Sequence, residues 1–181
     1  MGLPTPPTPV VLIMAVITRH AAALDWARQR TTEHWGPIAL ESPTFDFRET
    51  NYYTDEMGPE LNKTFFAFSA PADSGELAEW KLLTNQWEDE YAALGRHDEP
   101  RPLNLDPGYV TPAKLVLAST KDYSHRIYLT KGIYAEITLM WRRGGWHHHD
   151  FTFPDYRRSD FQAFFTAVRE FARRSGKPGL P

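Results

Sequence analysis

A predicted hairpin near residue 130 carries a cation, a carboxylate and two phenol rings on one face. The stretch HRIYLTKGIYAEITL, residues 125–139, alternates apolar and polar residues on both sides of a Lys-Gly turn. Arginine binds phosphate and carboxylate groups, and tyrosine rings can cover an apolar ring. The face therefore predicts a site for a small anionic molecule, such as a nucleotide or a phosphorylated metabolite. Its polar residues are Arg126, Tyr128, Tyr134, Glu136 and Thr138.

Two hairpin registers fit this sequence, and they differ in the length of the loop. With a two-residue loop at 131–132, Arg126 faces Ile137, so a charge meets an aliphatic side chain. With a three-residue loop at 130–132, whose glycine takes the left-handed position of a bulge, Arg126 faces Glu136. Opposite charges directly across an antiparallel pair contribute about 0.2–1 kcal/mol, which favours the longer loop. An ordinary solvated sheet face accounts for the alternation equally well.

Titratable residues around the hairpin are candidates for proton transfer. His125 could transfer protons, and Glu136 or Asp122 could serve as a general base or a metal ligand. Lys121 adds a second cation a few residues before Arg126. These residues are compatible with binding alone and with turnover.

Motifs for common cofactors and nucleophiles are absent from the sequence. There is no Walker loop, GxSxG elbow, GxGxxG turn or HExxH helix, which excludes the usual nucleotidase, esterase, dinucleotide and metalloprotease sites. The run from His147 to Asp150 makes a poor metal site, because adjacent strand residues point to opposite faces. We interpret this run as solvent-exposed, and the sequence predicts no metal and identifies no cofactor.

Composition narrows the partners and the compartment. The chain has 181 residues with 41% hydrophobic residues, which is typical of one folded domain. Its net charge of -3 argues against duplex DNA as a partner. The absence of cysteine excludes disulfides and thiolate sites and favours a cytoplasmic location. The apolar run from Val10 to Ile17 is about half of a membrane span and predicts a buried strand, so no membrane partner is expected.

The order of predicted elements indicates an α+β domain. Residues 1–9 are a Pro-rich leader that we expect to be disordered, and residues 10–176 form the single domain. The order βαββα suggests a ferredoxin-like first half, extended by antiparallel strands and closed by a packed C-terminal helix. The first elements are a strand at 10–17, a helix at 20–35, strands at 44–50 and 63–70, and a helix from Asp73.

The second half of the chain is predicted with less regular signals. The helix from Asp73 carries Lys81, Asn85 and Glu88 on one face. Exposure of this face to solvent explains these three polar residues as well as a functional site does. Asp-Pro-Gly at 106–108 predicts a turn. Strands at 114–120 and 151–153 and a helix from Ser159 to the glycine at position 176 complete the prediction.

Four blocks of this sequence resemble a bacterial and archaeal family catalogued as domain of unknown function 4416. The resemblance runs from about Val10 to Phe171 and implies the fold of that family, which brings no established activity, substrate or catalytic residue. It also implies signature positions, which add Asn104, Tyr109 and Glu56 to the ligand-binding candidates and Glu56 to the candidate bases. The blocks are FDFRETNYYTDEMG, with further signature residues at Thr50 and Tyr53, RPLNLDPGY, KLVLASTKDYSHRIYLTKGIYAEITL and FTFPDYR.

The leading hypothesis is a protein that binds a small anionic molecule on the face bearing Arg126, Lys121, Tyr128 and Glu136. The alternative from another class is a non-catalytic module that binds single-stranded RNA or a protein partner. Tyr128 and Tyr134 with their basic neighbours could stack bases, although the acidic net charge disfavours RNA. A purely architectural polar network is the third interpretation.

Overall fold

The computed structural model describes residues 2–49 and 54–175. Thr50, Tyr53 and the predicted domain end at residue 176 lie outside the described residues. The helices are α1 (Ala21–Trp35), α2 (Thr54–Met57), α3 (Leu77–Ala93) and α4 (Ser159–Ser175), with short 3-10 helices at Ser74–Glu76 and Pro154–Arg157. The strands are β1 (Val10–Thr18), β2 (Ile38–Glu41), β3 (Phe45–Asp46), β4 (Asn62–Ala72), β5 (Asn104–Val110), β6 (Lys114–Ser119), β7 (Ile127–Thr130), β8 (Ile133–Arg142) and β9 (Gly145–His147).

The strands form one antiparallel sheet with β1 near its centre. The strand order is β2-β4-β1-β5-β6-β8-β7, while β3 pairs with β4 and β9 pairs with β8. Every residue of β1 is buried, which its unbroken apolar sequence VVLIMAVIT explains. The predicted α+β class and its antiparallel strands are confirmed.

Helices cover both faces of this sheet. Successive residues of β1 point to opposite faces, and both sets are apolar, so each face needs a covering layer. Leu12 and Met14 pack in a core cluster with α1 and α3. Ile13 and Ala15 pack in a second cluster with α4. The aromatic stripe of α4 contributes Phe161, Phe164 and Phe165 to the second cluster.

Two predictions of local structure need correction, and one strand was not predicted. The segment 106–108, predicted as a turn, lies inside β5 because β1 pairs along its whole length. The segment 151–153 forms no strand, and the partner of β8 at this edge is β9. Residues 38–41 form a strand that was not predicted. Their burial is only partial, so they show no clear apolar alternation.

The hairpin combines features of both predicted registers. Ile127 pairs with Ala135 and Tyr128 with Tyr134, as the three-residue loop requires. The turn itself is Lys131-Gly132, and both residues have positive φ, which is the two-residue type I′ geometry. A register shift between Tyr128 and Thr130 reconciles the two observations.

An opening lies between β5 and β6, because these strands pair over only three positions. Gly108, Tyr109 and Val110 pair with residues of β6, whereas the first half of β5 pairs only with β1. Pro107, where this pairing ends, has no N–H to donate to a neighbouring strand. The two strands therefore diverge towards Asn104 on β5 and Ser119 on β6.

Replacing Gly108 by Ala is expected to destabilise the fold at the mouth of this opening. A Cβ on Gly108 would overlap the carbonyl oxygen of Val116 and would lie 2.7 Å from Cδ2 of Leu117. That oxygen belongs to the backbone of a paired strand, so the strands must separate. We expect the free energy of unfolding to fall by about 1–3 kcal/mol in urea denaturation. Gly145→Ala is the control, since its Cβ meets no atom within 4 Å, and equal effects of both substitutions would contradict this explanation.

Two further predictions concern the disorder of the N-terminal leader and the absence of a membrane-spanning segment. Residues 2–9 have no regular secondary structure and are exposed, and their disorder stays a prediction. Within residues 2–49 and 54–175, no helix has the combination of length and apolar character that crossing a membrane requires.

Candidate functional site

A pocket of about 440 Å³ occupies the opening between β5 and β6. Phe47, Phe153 and Tyr156 form an aromatic part of its wall. We call it the charged pocket, after the eight charged residues that line it: Glu49, Lys63, Lys81, Arg101, Asp106, Lys121, Arg126 and Asp155. Each of the four sequence blocks that carry the family resemblance contributes at least one residue to its lining.

A buried ion pair forms one side of the charged pocket. Lys63, at the start of β4, donates a hydrogen bond of 2.6 Å to Oδ2 of Asp155 in the second 3-10 helix. Both side chains are about 95% buried, with exposed fractions of 4% and 5%. The ammonium also lies 4.4 Å from the centre of the Tyr156 ring and 5.0 Å from that of Phe47. Aromatic faces stabilise a cation in such a dry position.

A second group of charges enters from α3. Lys81 donates to the backbone oxygen of Leu105 at 2.8 Å and to Oδ1 of Asp106 at 2.9 Å. Glu88, two turns further along α3, lies 3.8 Å from Lys81 and accepts from the backbone N–H of Leu105. The predicted line of Lys81, Asn85 and Glu88 on one helix face is therefore real. Solvation does not explain it, because Lys81 and Glu88 are buried.

Arg101 extends this group of charges towards the surface. It forms an ion pair of 2.9 Å with Glu88 and one of 3.3 Å with Glu56 of α2. It also donates to Oδ1 of Asn104. The side chain of Asn104 in turn donates to Oδ2 of Asp106 at 2.8 Å. Positive and negative side chains thus alternate from Glu56 to Asp106.

Two carboxylates of this group, Glu88 and Asp106, have opposite pKa shifts. Burial raises the pKa of Glu88 above its usual value, and the charges of Lys81 and Arg101 only partly offset this effect. Burial acts in the same direction on Asp106, but Lys81, Lys63 and the amide of Asn104 outweigh it and lower the pKa of Asp106. Asp106 is therefore ionised at neutral pH and acts as an acceptor in the charged pocket.

The predicted partnership of Arg126 and Glu136 is confirmed at the edge of the charged pocket. Nε of Arg126 lies 2.7 Å from Oε2 of Glu136. His125 lies 3.2 Å from the same oxygen, and the hydroxyl of Thr138 donates to Oε1 at 3.1 Å. The Glu136 side chain is only 1% exposed, so this face of the hairpin is not an ordinary solvated surface. Arg126 also donates to the backbone oxygen of Lys121.

The other predicted site residues lie in several places. Lys121 and Asn104 line the charged pocket with Arg126, and Glu56 reaches it only through Arg101. Tyr109 packs against the core cluster of α1 and α3, where burial raises its pKa. Tyr128 and Tyr134 contact each other edge to face at the margin of the sheet, and Asp122 is exposed in the loop before β7.

The candidate proton carrier His125 is enclosed by other side chains. Its ring stacks on Phe151 at 4.7 Å and lies 5.5 Å from the ring of His149. Its Nδ1 is buried and has no hydrogen-bond partner among the described residues. His147 and His149 each contact a backbone oxygen. Within the described part of the chain, no group of three or more His, Cys, Asp or Glu residues is arranged to hold a metal ion.

Four residues of the charged pocket are missing from the predicted site residues, although the resemblance implies two of them, Asp106 and Asp155, as signature positions. The other two are Lys63 and Lys81. Lys63 lies in an aromatic strand and Asp106 in a predicted turn, so neither shows a pattern of its own. Asp155 lies in the fourth block of the resemblance, and Lys81 lies on a helix face that also fits solvation. For Lys81, its spacing from Glu88 on that face was the one available signal.

A second cluster of titratable groups lies outside the charged pocket. The rings of His20 and His97 stack at 3.6 Å, and His20 lies 3.0 Å from Glu99. Nε2 of His97 lies 2.9 Å from the hydroxyl of Tyr91. Partial burial and the nearby His20 lower the pKa of His97. These side chains satisfy one another.

Comparison with known proteins agrees with the resemblance. A family model described as Domain of unknown function (DUF4416) matches residues 8–171. No curated protein and no solved structure matches the chain.

Proposed function

We propose that this chain, which belongs to the DUF4416 family, binds a small anionic molecule in the charged pocket. A nucleotide or a phosphorylated metabolite is the expected class of ligand. The pocket volume of about 440 Å³ lies within the range of small-molecule sites. Convergent polar groups on a partly apolar wall are also typical of such sites.

The observation that carries this proposal is the state of Lys63. An ammonium group has three N–H donors, and among the described residues Lys63 uses one of them, for Asp155. The residue is 3% exposed and lines the pocket, so besides Asp155 its ammonium has only aromatic rings as neighbours in the described residues. Unsatisfied buried donors are costly, and an anionic oxygen would satisfy them with charge-assisted hydrogen bonds.

Arg126 supplies a second donor on the same pocket. Its Nε serves Glu136 and its Nη1 serves the backbone oxygen of Lys121, while Nη2 donates no hydrogen bond to the described residues. Phe153 lies beneath its guanidinium at 5.7 Å, and Asp155 follows two residues later. One short segment therefore connects the surroundings of Arg126 with those of Lys63. Two cations held around one cavity favour a ligand with a phosphate or carboxylate group.

A thermal shift screen with inorganic phosphate, sugar phosphates and nucleoside monophosphates tests the proposal. A ligand at 100 times its Kd should stabilise the protein by about 2.7 kcal/mol. The double variant Lys63→Met with Asp155→Asn removes both charges of the buried pair and should abolish the shift. Lys131→Met is the matched control, because Lys131 is exposed and pairs with Glu79 on the surface. Absence of any hit, or equal hits in the double variant, would contradict the proposal.

Salt dependence separates this proposal from the RNA-binding alternative. Affinity for a single-stranded oligonucleotide falls steeply between low and physiological salt, since binding releases counterions. A small anion enclosed by Lys63 and Arg126 should lose much less affinity over the same range. A steep loss together with dependence on the exposed Tyr128 would support the RNA-binding module instead.

The scaffold part of the proposal is a ferredoxin-like first half. Its support is the strand order, in which β4 lies between β2 and β1 and β5 lies on the other side of β1. All of these neighbours are antiparallel, with α1 following β1 and α3 following β4. In this arrangement the ends of β1, β4 and β5 bring Ile17, Lys63 and Asn104 to one edge of the charged pocket.

A further inference from the structure

We propose that the ligand of the charged pocket carries hydroxyl groups besides its anionic group, which is the chemistry of a phosphorylated sugar or polyol. The inference rests on the proposed function and refines it. Its basis is the different character of two ends of the pocket. One end presents the donors of Lys63 and Arg126, and the other presents the acceptor oxygens of Asp106.

The carboxylate of Asp106 has acceptor capacity left for a ligand. Its Oδ1 accepts from Lys81 and its Oδ2 from Asn104, at 2.9 Å and 2.8 Å. Each carboxylate oxygen can accept two hydrogen bonds, so one position on each oxygen is open. The side chain is 26% exposed and lines the pocket, so these positions can be reached. Two adjacent acceptors suit two neighbouring hydroxyl groups.

The surroundings of Asp106 disfavour the other chemical groups that could occupy this end. A second phosphate or carboxylate would be repelled by the ionised Asp106. The attraction of Asp106 for a ligand ammonium is offset by the repulsion of Lys81, which touches Asp106, and of Lys63, whose charge also acts on this carboxylate. A neutral hydroxyl meets neither repulsion and can donate to the carboxylate. The lining therefore selects neutral donors at this end.

Asn104 adds a donor next to the same acceptors. One N–H of its amide serves Asp106, its oxygen accepts from Arg101, and its side chain is buried. The second amide N–H donates no hydrogen bond among the described residues and can meet a hydroxyl oxygen. A hydroxyl group both donates and accepts, so Asp106 and Asn104 together match it better than they match a purely anionic or cationic group.

The test compares three phosphate monoesters of similar length by isothermal titration calorimetry: ribose 5-phosphate, pentyl phosphate and 5-aminopentyl phosphate. Ribose 5-phosphate should bind about tenfold tighter than the other two, since hydrogen bonds to a charged group are among the strong ones. Asp106→Asn should reduce this preference to about twofold while pentyl phosphate still binds. The asparagine oxygen can still accept from Asn104, and Lys81 retains its contact with Glu88, so we expect the variant to fold. The melting temperature checks this.

The possible outcomes separate this inference from the proposed function. If pentyl phosphate binds as tightly as ribose 5-phosphate, or if Asp106→Asn leaves the preference unchanged, the hydroxyl requirement is wrong and the anion site stands. If 5-aminopentyl phosphate binds tightest, the second group is an ammonium and the inference is overturned. If none of the three binds while another anion from the thermal shift screen does, the inference fails and the proposed function stands; if that screen also returns no hit, both fail. The Lys63→Met, Asp155→Asn double variant should bind none of them.

Discussion

Glu136→Ala is expected to lower the free energy of unfolding by about 3–5 kcal/mol. Glu136 is the shared acceptor for Arg126, His125 and Thr138, and its side chain is 1% exposed. Its removal leaves Arg126, itself only 7% exposed, without the carboxylate that balances its charge. The cost of removing the Arg126 guanidinium from water is then no longer offset by an ion pair, which destabilises the folded state. Urea denaturation of the variant and the parent protein measures the effect.

A surface ion pair provides the control for this prediction. Glu79 contacts Lys131 at 2.9 Å, but both side chains are more than half exposed. Exposed pairs contribute little, so Glu79→Ala should change the free energy of unfolding by less than about 1 kcal/mol. Glu136→Gln should fall between the two, since it keeps the shape and an acceptor oxygen. If Glu136→Ala were as mild as Glu79→Ala, the pair at the hairpin would not be buried as described.

Lys63→Met is expected to destabilise the protein to a similar extent, by about 3–5 kcal/mol. It leaves the carboxylate of Asp155 buried at 5% exposure without its ammonium partner. Adding Asp155→Asn removes the stranded charge and should restore most of the lost stability. The methionine is apolar and replaces the ammonium among the rings of Tyr156 and Phe47, where it can pack.

This double variant separates stability from binding at the charged pocket. If Lys63 serves only the architecture, the double variant restores stability and the wild type shows no anion binding to lose. If Lys63 also holds a ligand, stability returns and binding does not. The coupling energy of the two substitutions comes from a double-mutant cycle with both single variants. A coupling near zero would show that Lys63 and Asp155 are not partners.

The charged pocket exists because pairing between two strands ends early. A complete β5–β6 ladder would fill the opening with paired backbone. Gly108 allows β6 to approach β5 closely at the last paired position, and pairing is lost at the preceding residue, Pro107. The same short segment of β5 thus holds the sheet together at one end and carries the carboxylate of Asp106, which lines the pocket, at the other.

The sequence alone determined the features that depend on local patterns. The apolar run of β1 and the aromatic stripe of α4 each follow from the spacing of residues in one segment, whereas the hairpin exposes the apolar Ile127 and buries Glu136. The same local reasoning correctly paired Arg126 with Glu136, because their register depends on one turn. It also placed Lys81 and Glu88 on one helix face.

Only the tertiary structure decided where the charges meet. Lys63 and Asp155 are separated by 92 positions, and no periodic pattern brings them together. Asp-Pro-Gly has a strong local preference for a turn, yet it lies in β5 because pairing with β1 outweighs that preference. Contacts between distant segments form when the sheet closes, and their geometry depends on how two strands separate. For that reason the hairpin was predicted from sequence and the charged pocket beside it was not.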